Sequence, residues 1–309
     1  MFSQTRRARL SSYLKSFTSI LTLASLLVVV AWLYSRRQEL EAVPWSTQWF
    51  VILLLIGMYG VSLVLEFIVW HTFMLSIASI GWLKDLQLYA YSNLSRRLPS
   101  GLGYLFVRTV QYGAERVNSA SVVVFSVLEL VLLVVTGVLL SVITLSPSID
   151  VSLVIFLSLL SVSVVMVLHP RKYFTRVLKA VGLHRVMGTQ LRDVPTRKIV
   201  TYAVLYCIAW LNGGLMLYIT TSTLINEAGV GVLSAIGYWT ISASVGLLGS
   251  LVPIGQVSRD ITLSILLQKH MPLSNAIAVA LIFRVAITVG DVLWSLFLYA
   301  LSRLAQRKY

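Results

Sequence analysis

The chain has 309 residues, of which 58% are apolar and only 12% charged. A water-soluble domain carries roughly 25% charged residues, so a soluble globular fold is excluded, and with it disorder, coiled coil, collagen and a disulfide scaffold. Lys and Arg number 25 against 11 Asp and Glu, a formal balance of +14 that loops beside anionic lipid account for without any nucleic-acid partner.

Arg6, Arg7, Arg9 and Lys15 precede an apolar stretch at 17–35. That stretch is longer than the roughly 7–15 residues of a signal-peptide core, so it reads as a retained first span. Further apolar runs lie at about 47–75, 119–145, 151–168, 199–225 and 273–301. Each is long enough to cross a hydrocarbon core about 30 Å thick. They are continuous rather than alternating, which selects helices over barrel strands. The single cysteine, Cys207, lies in one of these runs and cannot form an intrachain disulfide.

The segment 169–198 holds Arg171, Lys172, Arg176, Lys179, Arg185, Arg192, Arg197 and Lys198 against one acid, Asp193, whereas the turns at 146–150 and 226–231 hold no base. Basic loops stay cytoplasmic, so the N-terminus, the basic loop and the C-terminus (Arg303, Arg307, Lys308) are expected inside, across a cell membrane of the plasma or inner type. To return from the turn at 226–231 to an inside C-terminus, one stretch must not cross. The stretch 232–252 is short, rich in Gly and Ser, and broken by Pro253 and Gly255. It predicts a re-entrant hairpin over about 234–268.

The same order of features occurs twice. Ile80-Gly81-Trp82 leads to Pro99-Ser100-Gly101, Arg108 and the span from 119; Ile236-Gly237-Tyr238 leads to Pro253-Ile254-Gly255, Arg259 and the span from 273. Asn118-Ser119-Ala120 and Ser274-Asn275-Ala276 lead into the final span of each unit. Repeat 1 covers about 47–145 and repeat 2 about 199–302, within a single membrane domain 1–309. Their spans run in opposite directions, which predicts an inverted repeat with broken helices, an architecture of transporters. The expected fold is thus an all-α polytopic helical bundle with about six full spans and two Pro-x-Gly re-entrant hairpins.

At these residues the chain resembles the flippase-like transmembrane region of lysylphosphatidylglycerol synthases and its small stand-alone relatives. Members carry Asn before Leu-Pro-x-Gly-x-Gly and Arg, then a Pro-x-Gly stretch ending in Arg and Glu. Here the first reads Asn93-Leu94-Ser95-Arg96-Arg97-Leu98-Pro99-Ser100-Gly101-Leu102-Gly103, with Arg108 after it. The second reads Pro253-Ile254-Gly255-Gln256-Val257-Ser258-Arg259-Asp260, with Asp260 in place of the usual Glu and Gln256 in place of a small residue. The resemblance implies a role with phospholipids or polyprenyl-linked lipids. No aminoacyl-transferase domain is expected beyond residue 309, so lipid aminoacylation is not carried over.

A charge at the centre of a bilayer helix costs about 2.5–3.5 kcal/mol on insertion scales, and such residues persist where they pair or line a wet cavity. Glu66, Glu129, Asp260, Arg284 and Asp291 are expected to form an intramembrane polar network. One possible arrangement is a structural pair of Arg284 with Glu129; Arg284 and Asp291 share a helix face. Arg96, Arg97 and Arg108 surround the first break, beside a half-helix starting near Gly101. Guanidinium forks and unpaired helix N–H groups both suit phosphate, so these arginines and Arg259 are the candidate lipid-phosphate ligands. The alternative places 79–112 as an interfacial loop whose arginines touch headgroups nonspecifically. Trp82, Tyr89, Tyr91 and Tyr104 are expected near an interface in either case. The four histidines are scattered, and neither metal spacing nor a nucleophile elbow is seen, so no catalytic residue, metal or cofactor is expected. The expected function is binding and translocation of an anionic phospholipid or polyprenyl-phosphate lipid. A non-catalytic subunit presenting lipid to a glycosyltransferase or other envelope enzyme is the alternative.

Overall fold

A computed structural model of the chain describes residues 49–94, 103–145, 196–224, 229–249 and 255–306. Among these residues the structure is helical, with no strand. The helices, in chain order, are α1 (Trp49–Met74), α2 (Trp82–Leu94), α3 (Gly103–Ala114), α4 (Ser119–Leu145), α5 (Thr196–Leu224), α6 (Val232–Gly249), α7 (Gly255–Leu267) and α8 (Leu273–Gln306). The protein is an all-α, multi-pass membrane helical bundle.

Length sorts these helices into two kinds. The 26 residues of α1, at a rise of about 1.5 Å each, make roughly 39 Å, enough to cross a bilayer core. α4, α5 and α8 are longer still. By contrast α2, α3 and α7, with 13, 12 and 13 residues, reach only about 18–20 Å. Five described helices are long and apolar enough to cross: four match the expected spans, and the fifth is α6, Val232–Gly249. α6 was expected as one limb of a hairpin, and at 18 residues it has the length of a span of about 27 Å. The expected spans 17–35 and 151–168, and the basic loop up to 195, lie outside the described residues.

The outward faces carry large apolar side chains, among them Phe50, Leu53, Val204, Leu296 and Phe297. In water such a surface would aggregate; in lipid it is the solvated one. Between helices the contact is made by shape. A Cβ on Gly214 of α5 would meet the backbone of Ile236 in α6, and one on Gly60 of α1 would meet the Trp294 ring of α8. Small residues at such crossings let backbones approach where no hydrophobic force drives association.

The helices fall into two units of four: long, short, short, long in the first, and in the second the same order but with the 18-residue α6 in place of the first short helix. Matching α1 with α5, α2 with α6, α3 with α7 and α4 with α8, every principal packing has its counterpart. α2 packs on α3 as α6 does on α7; α1 on α2 as α5 on α6; α3 on α4 as α7 on α8. Between units, α6 packs on α4 as α2 does on α8, and α5 on α4 as α1 on α8. The contact of α1 with α5 is its own counterpart and lies on the approximate two-fold axis.

α1 and α5 run antiparallel. Phe73 stacks edge-on against Tyr202, while Asn212 donates to Met58 O (2.7 Å) and to Ser62 Oγ (2.8 Å). Rising numbers in one helix therefore meet falling numbers in the other. Each leads by a short connection into its pair of half-helices, so the two pairs open toward opposite ends of the bundle. The feet of each pair meet. Lys84 in the first turn of α2 bonds Glu115 just past α3 (3.0 Å), and Tyr238 of α6 bonds His270 just past α7 (2.9 Å).

The entry to α4 follows from its residues. Arg116 adopts a left-handed backbone (φ 62°) that ends α3, and Asn118 Oδ1 accepts from Ala120 N to cap α4. The expected counterpart Ser274-Asn275-Ala276 does not cap α8: it lies inside the first turn, with Pro272 just before the helix.

Candidate functional site

Three short polar stripes build the first centre. Asp85, Tyr89 and Ser92 recur at helical spacing on α2; Tyr104, Arg108 and Tyr112 on α3; Ser126 and Glu129 on α4. Packing α2, α3 and α4 together brings the stripes to one point. Arg108 is fully buried there and forms an ion pair with the fully buried Glu129. Its Nε donates to Ser92 Oγ (3.1 Å) and one terminal nitrogen to Asn93 Oδ1 (3.1 Å). Its guanidinium also lies 4.0 Å from the centre of the Trp70 ring and 4.8 Å from that of Tyr89. A desolvated cation over an aromatic face gains about 2 kcal/mol, so rings and carboxylate together offset the burial.

The network extends both ways. The Tyr89 hydroxyl lies 2.8 Å from Glu129 Oε1 and 3.3 Å from Glu66 Oε2. On the other side Trp70 Nε1 donates to Tyr112 Oη (2.7 Å), Tyr112 donates to Asp85, and Asp85 bonds His71 Nδ1 (2.6 Å). α2 is not one of the spanning helices, and burial there pushes the Asp85 carboxyl above its ordinary range, while Tyr112 and His71 pull it down.

The second centre is smaller. Asp260 of α7 accepts two bonds from Arg259 (3.0 and 2.8 Å) and one from Arg284 of α8 (2.8 Å). Arg259 lies 5.8 Å from the Trp239 ring centre. The two centres occupy matched positions with the charges exchanged. Arg108 and Asp260 each stand five residues past the start of their half-helix (103 to 108, 255 to 260). Glu129 stands ten residues into α4 and Arg284 eleven into α8 (119 to 129, 273 to 284). In each unit the second half-helix is thus latched to the final long helix by an ion pair. The pairing of Arg284 with Glu129 does not form; each has its partner within its own unit.

Asp291, a turn and more beyond Arg284, instead accepts from the Tyr59 hydroxyl across α8 and α1. Between the units, around the crossing of α1 and α5, lies a small cleft of about 50 Å³. Tyr59, Ser62, Glu66, Trp210, Trp239 and Phe283 are among its lining residues.

Of the sequence candidates, Asn93, Arg108, Glu66 and Glu129 come together in the first centre, and Arg259, Asp260 and Arg284 in the second. Gly103 and Gly255 are the first residues of α3 and α7. Arg96, Arg97, Pro99, Gly101 and Pro253 lie outside the described residues. Tyr89 and Tyr104, expected near an interface, are buried, whereas Trp82 and Tyr91 are exposed. Sequence reasoning missed Trp70, His71, Asp85, Ser92 and Tyr112; the spacing of 85, 89 and 92 was the available signal.

Fold and site together define a polytopic membrane protein of two antiparallel four-helix units with a charged latch in each. Comparison with family models, curated proteins and solved structures yields no match to this chain.

Proposed function

We propose that the protein binds an anionic lipid, a phospholipid or polyprenyl phosphate, and moves it between the leaflets of a cell membrane. The observation that carries this reading is the two-fold matching of the packing, with antiparallel units whose hairpins open toward opposite ends. Such a frame offers equivalent half-sites to the two leaflets, as alternating access requires. The termini and the basic loop face the cytoplasm on this reading, by the charge of the loops.

The lipid phosphate is the partner of Arg96 and Arg97 beside the first break, and of Arg108 and Arg259. The latter two are engaged by Glu129 and Asp260, so phosphate binding there is an exchange of one anion for another. At the first centre the exchange releases a latch, because Glu129 without Arg108 no longer holds α3 to α4; at the second, Asp260 keeps its bond to Arg284 when Arg259 is taken. This links lipid binding to hairpin movement.

The test is reconstitution of the purified protein in vesicles carrying a labelled anionic lipid in one leaflet. Transfer should be lost in Arg259→Ala and in Arg108→Lys, the latter keeping charge but not the fork. Unchanged transfer in both variants sinks the phosphate reading. Absence of transfer by the wild-type protein, with co-purification of an envelope enzyme, would favour a lipid-presenting subunit instead.

A further inference from the structure

The cleft between the units has two unlike walls. One belongs to α1, where Tyr59, Ser62 and Glu66 recur at i, i+3 and i+7 and so share a single helix face. Each of the three carries a side-chain oxygen. The opposite wall is apolar and aromatic, with Trp210 of α5, Trp239 of α6 and Phe283 of α8. These rings pack in series, Trp210 on Trp239 (6.3 Å between centres, 60° between planes) and Trp239 on Phe283 (5.0 Å, 87°), so the wall turns a corner instead of lying flat. Trp210 gives its N–H to Leu133 O and Thr136 Oγ1 of α4, which leaves carbon and π density for the cleft.

Sign and size then define the ligand. Among the described residues that line the cleft, none is basic. Glu66 brings a carboxylate, a second one, Asp291, stands behind Tyr59 as the acceptor of its hydroxyl, and aromatic faces are themselves negative. Arg108 and Arg259, on half-helices, are held by Glu129 and Asp260. The cleft therefore suits a cation, unlike the two arginine centres. A hard metal ion takes about six or more oxygen ligands, which one wall of oxygens does not supply. A primary ammonium group fits better: its three N–H donors point one way and its carbon the other. With about 50 Å³, the cleft holds roughly four water-sized groups, enough for an ammonium carrying one or two carbons.

We propose that the cleft binds a small alkylammonium ion, its N–H groups toward Tyr59, Ser62 and Glu66 and its carbon against Trp210, Trp239 and Phe283. A carboxylate has about four acceptor positions, so Glu66 takes an ammonium hydrogen beside the one it accepts from Tyr89 (3.3 Å). The desolvated cation is drawn to the aromatic wall by the ring quadrupoles. The ion bridges the first unit, through α1, to the second, through α5, α6 and α8, so its presence bears on how the units move against each other. The inference goes beyond translocation of an anionic lipid and does not depend on it.

Two of the eight tryptophans, Trp210 and Trp239, report on the cleft. Titration of the purified protein in detergent with methylammonium chloride should change its fluorescence saturably. Sodium chloride and tetramethylammonium chloride at equal ionic strength should not, since neither cation has N–H groups. Glu66→Gln, which keeps the shape, should weaken binding more than about tenfold. Phe283→Leu, which keeps an apolar wall but removes a ring, should weaken it roughly two- to fivefold. No saturable change in the wild type, an equal change with sodium, or wild-type affinity in both variants overturns the inference. Repeating the titration in nanodiscs with and without phosphatidylethanolamine separates a soluble ion from a lipid headgroup. Equal affinity in both supports the soluble ion; a methylammonium response lost only with the amine-headed lipid overturns it and assigns the ammonium to the headgroup. No transfer between leaflets enters the readout, so its failure is distinct from a failure of the lipid reading.

Discussion

Arg108 shows what a buried cation requires inside a bundle. Four kinds of contact converge on it: a carboxylate, a hydroxyl, a side-chain amide and aromatic faces. Removing one partner of a buried pair costs about 3–5 kcal/mol, because the other charge is left uncompensated, whereas replacing both by apolar groups is often close to neutral. Arg108→Met should therefore lower thermal stability in detergent steeply, and adding Glu129→Leu should recover most of the loss. A double variant no more stable than the single one would show that Ser92, Asn93 and the rings, and not the ion pair, dominate the site. Trp70 binds twice, through its ring to Arg108 and through Nε1 to Tyr112. Trp70→Phe keeps a ring but loses the hydrogen bond and leaves the Tyr112 hydroxyl one partner short; a cost of about 1–3 kcal/mol follows. Heat denaturation followed by circular dichroism measures it.

At the scale of elements, the helix crossings are set by what is missing from side chains. A methyl at Gly214 would meet the Ile236 backbone, which no rotamer change can clear. Gly214→Ala should force α5 from α6 at a cost of about 1–3 kcal/mol, while Gly231→Ala, in open space, should be neutral. The melting temperatures of the two variants decide the point. Long elements were legible in the sequence because an uninterrupted apolar run has one solution in lipid, and four spans fall where the runs do. The limits of α6 were harder to read. Its Gly and Ser suggested a weak half-helix, yet Gly237 and Ser244 are where it packs closely on α4, the approach to α5 is made by Gly213 and Gly214 of that helix, and α6 runs to 18 residues. The polar centres were half legible. A charge in an apolar run stands out, but its partner depends on which helices pack, so Arg284 could be assigned to Glu129 as readily as to Asp260. Tyr89 and Trp70 gave no such signal, since an aromatic residue suits lipid, interface and core alike.

At the scale of the whole molecule, the matched packing makes a topological claim. The feet of the first hairpin lie at one end of the bundle and those of the second at the other, and each pair of feet is tied together. With Cys207 replaced, cysteines introduced at Gly231 and Lys269 should label from one side of the membrane, and one at Gly81 from the opposite side. Labelling of 231 and 269 from different sides would mean that α6 crosses the bilayer and that α7 does not bring the chain back.

The exchange of charges between the two latches has a consequence for how the chain is assembled. During synthesis α3 meets α4 before α8 emerges; two such similar units could trade half-helices as the bundle closes. A traded arrangement would set Arg108 against Arg284 and Asp260 against Glu129, like facing like in a medium that screens poorly. Correct pairing brings opposite signs together in both units at once. The reversed polarity thus acts as an address within the nascent chain, directing each half-helix to the long helix made next after it.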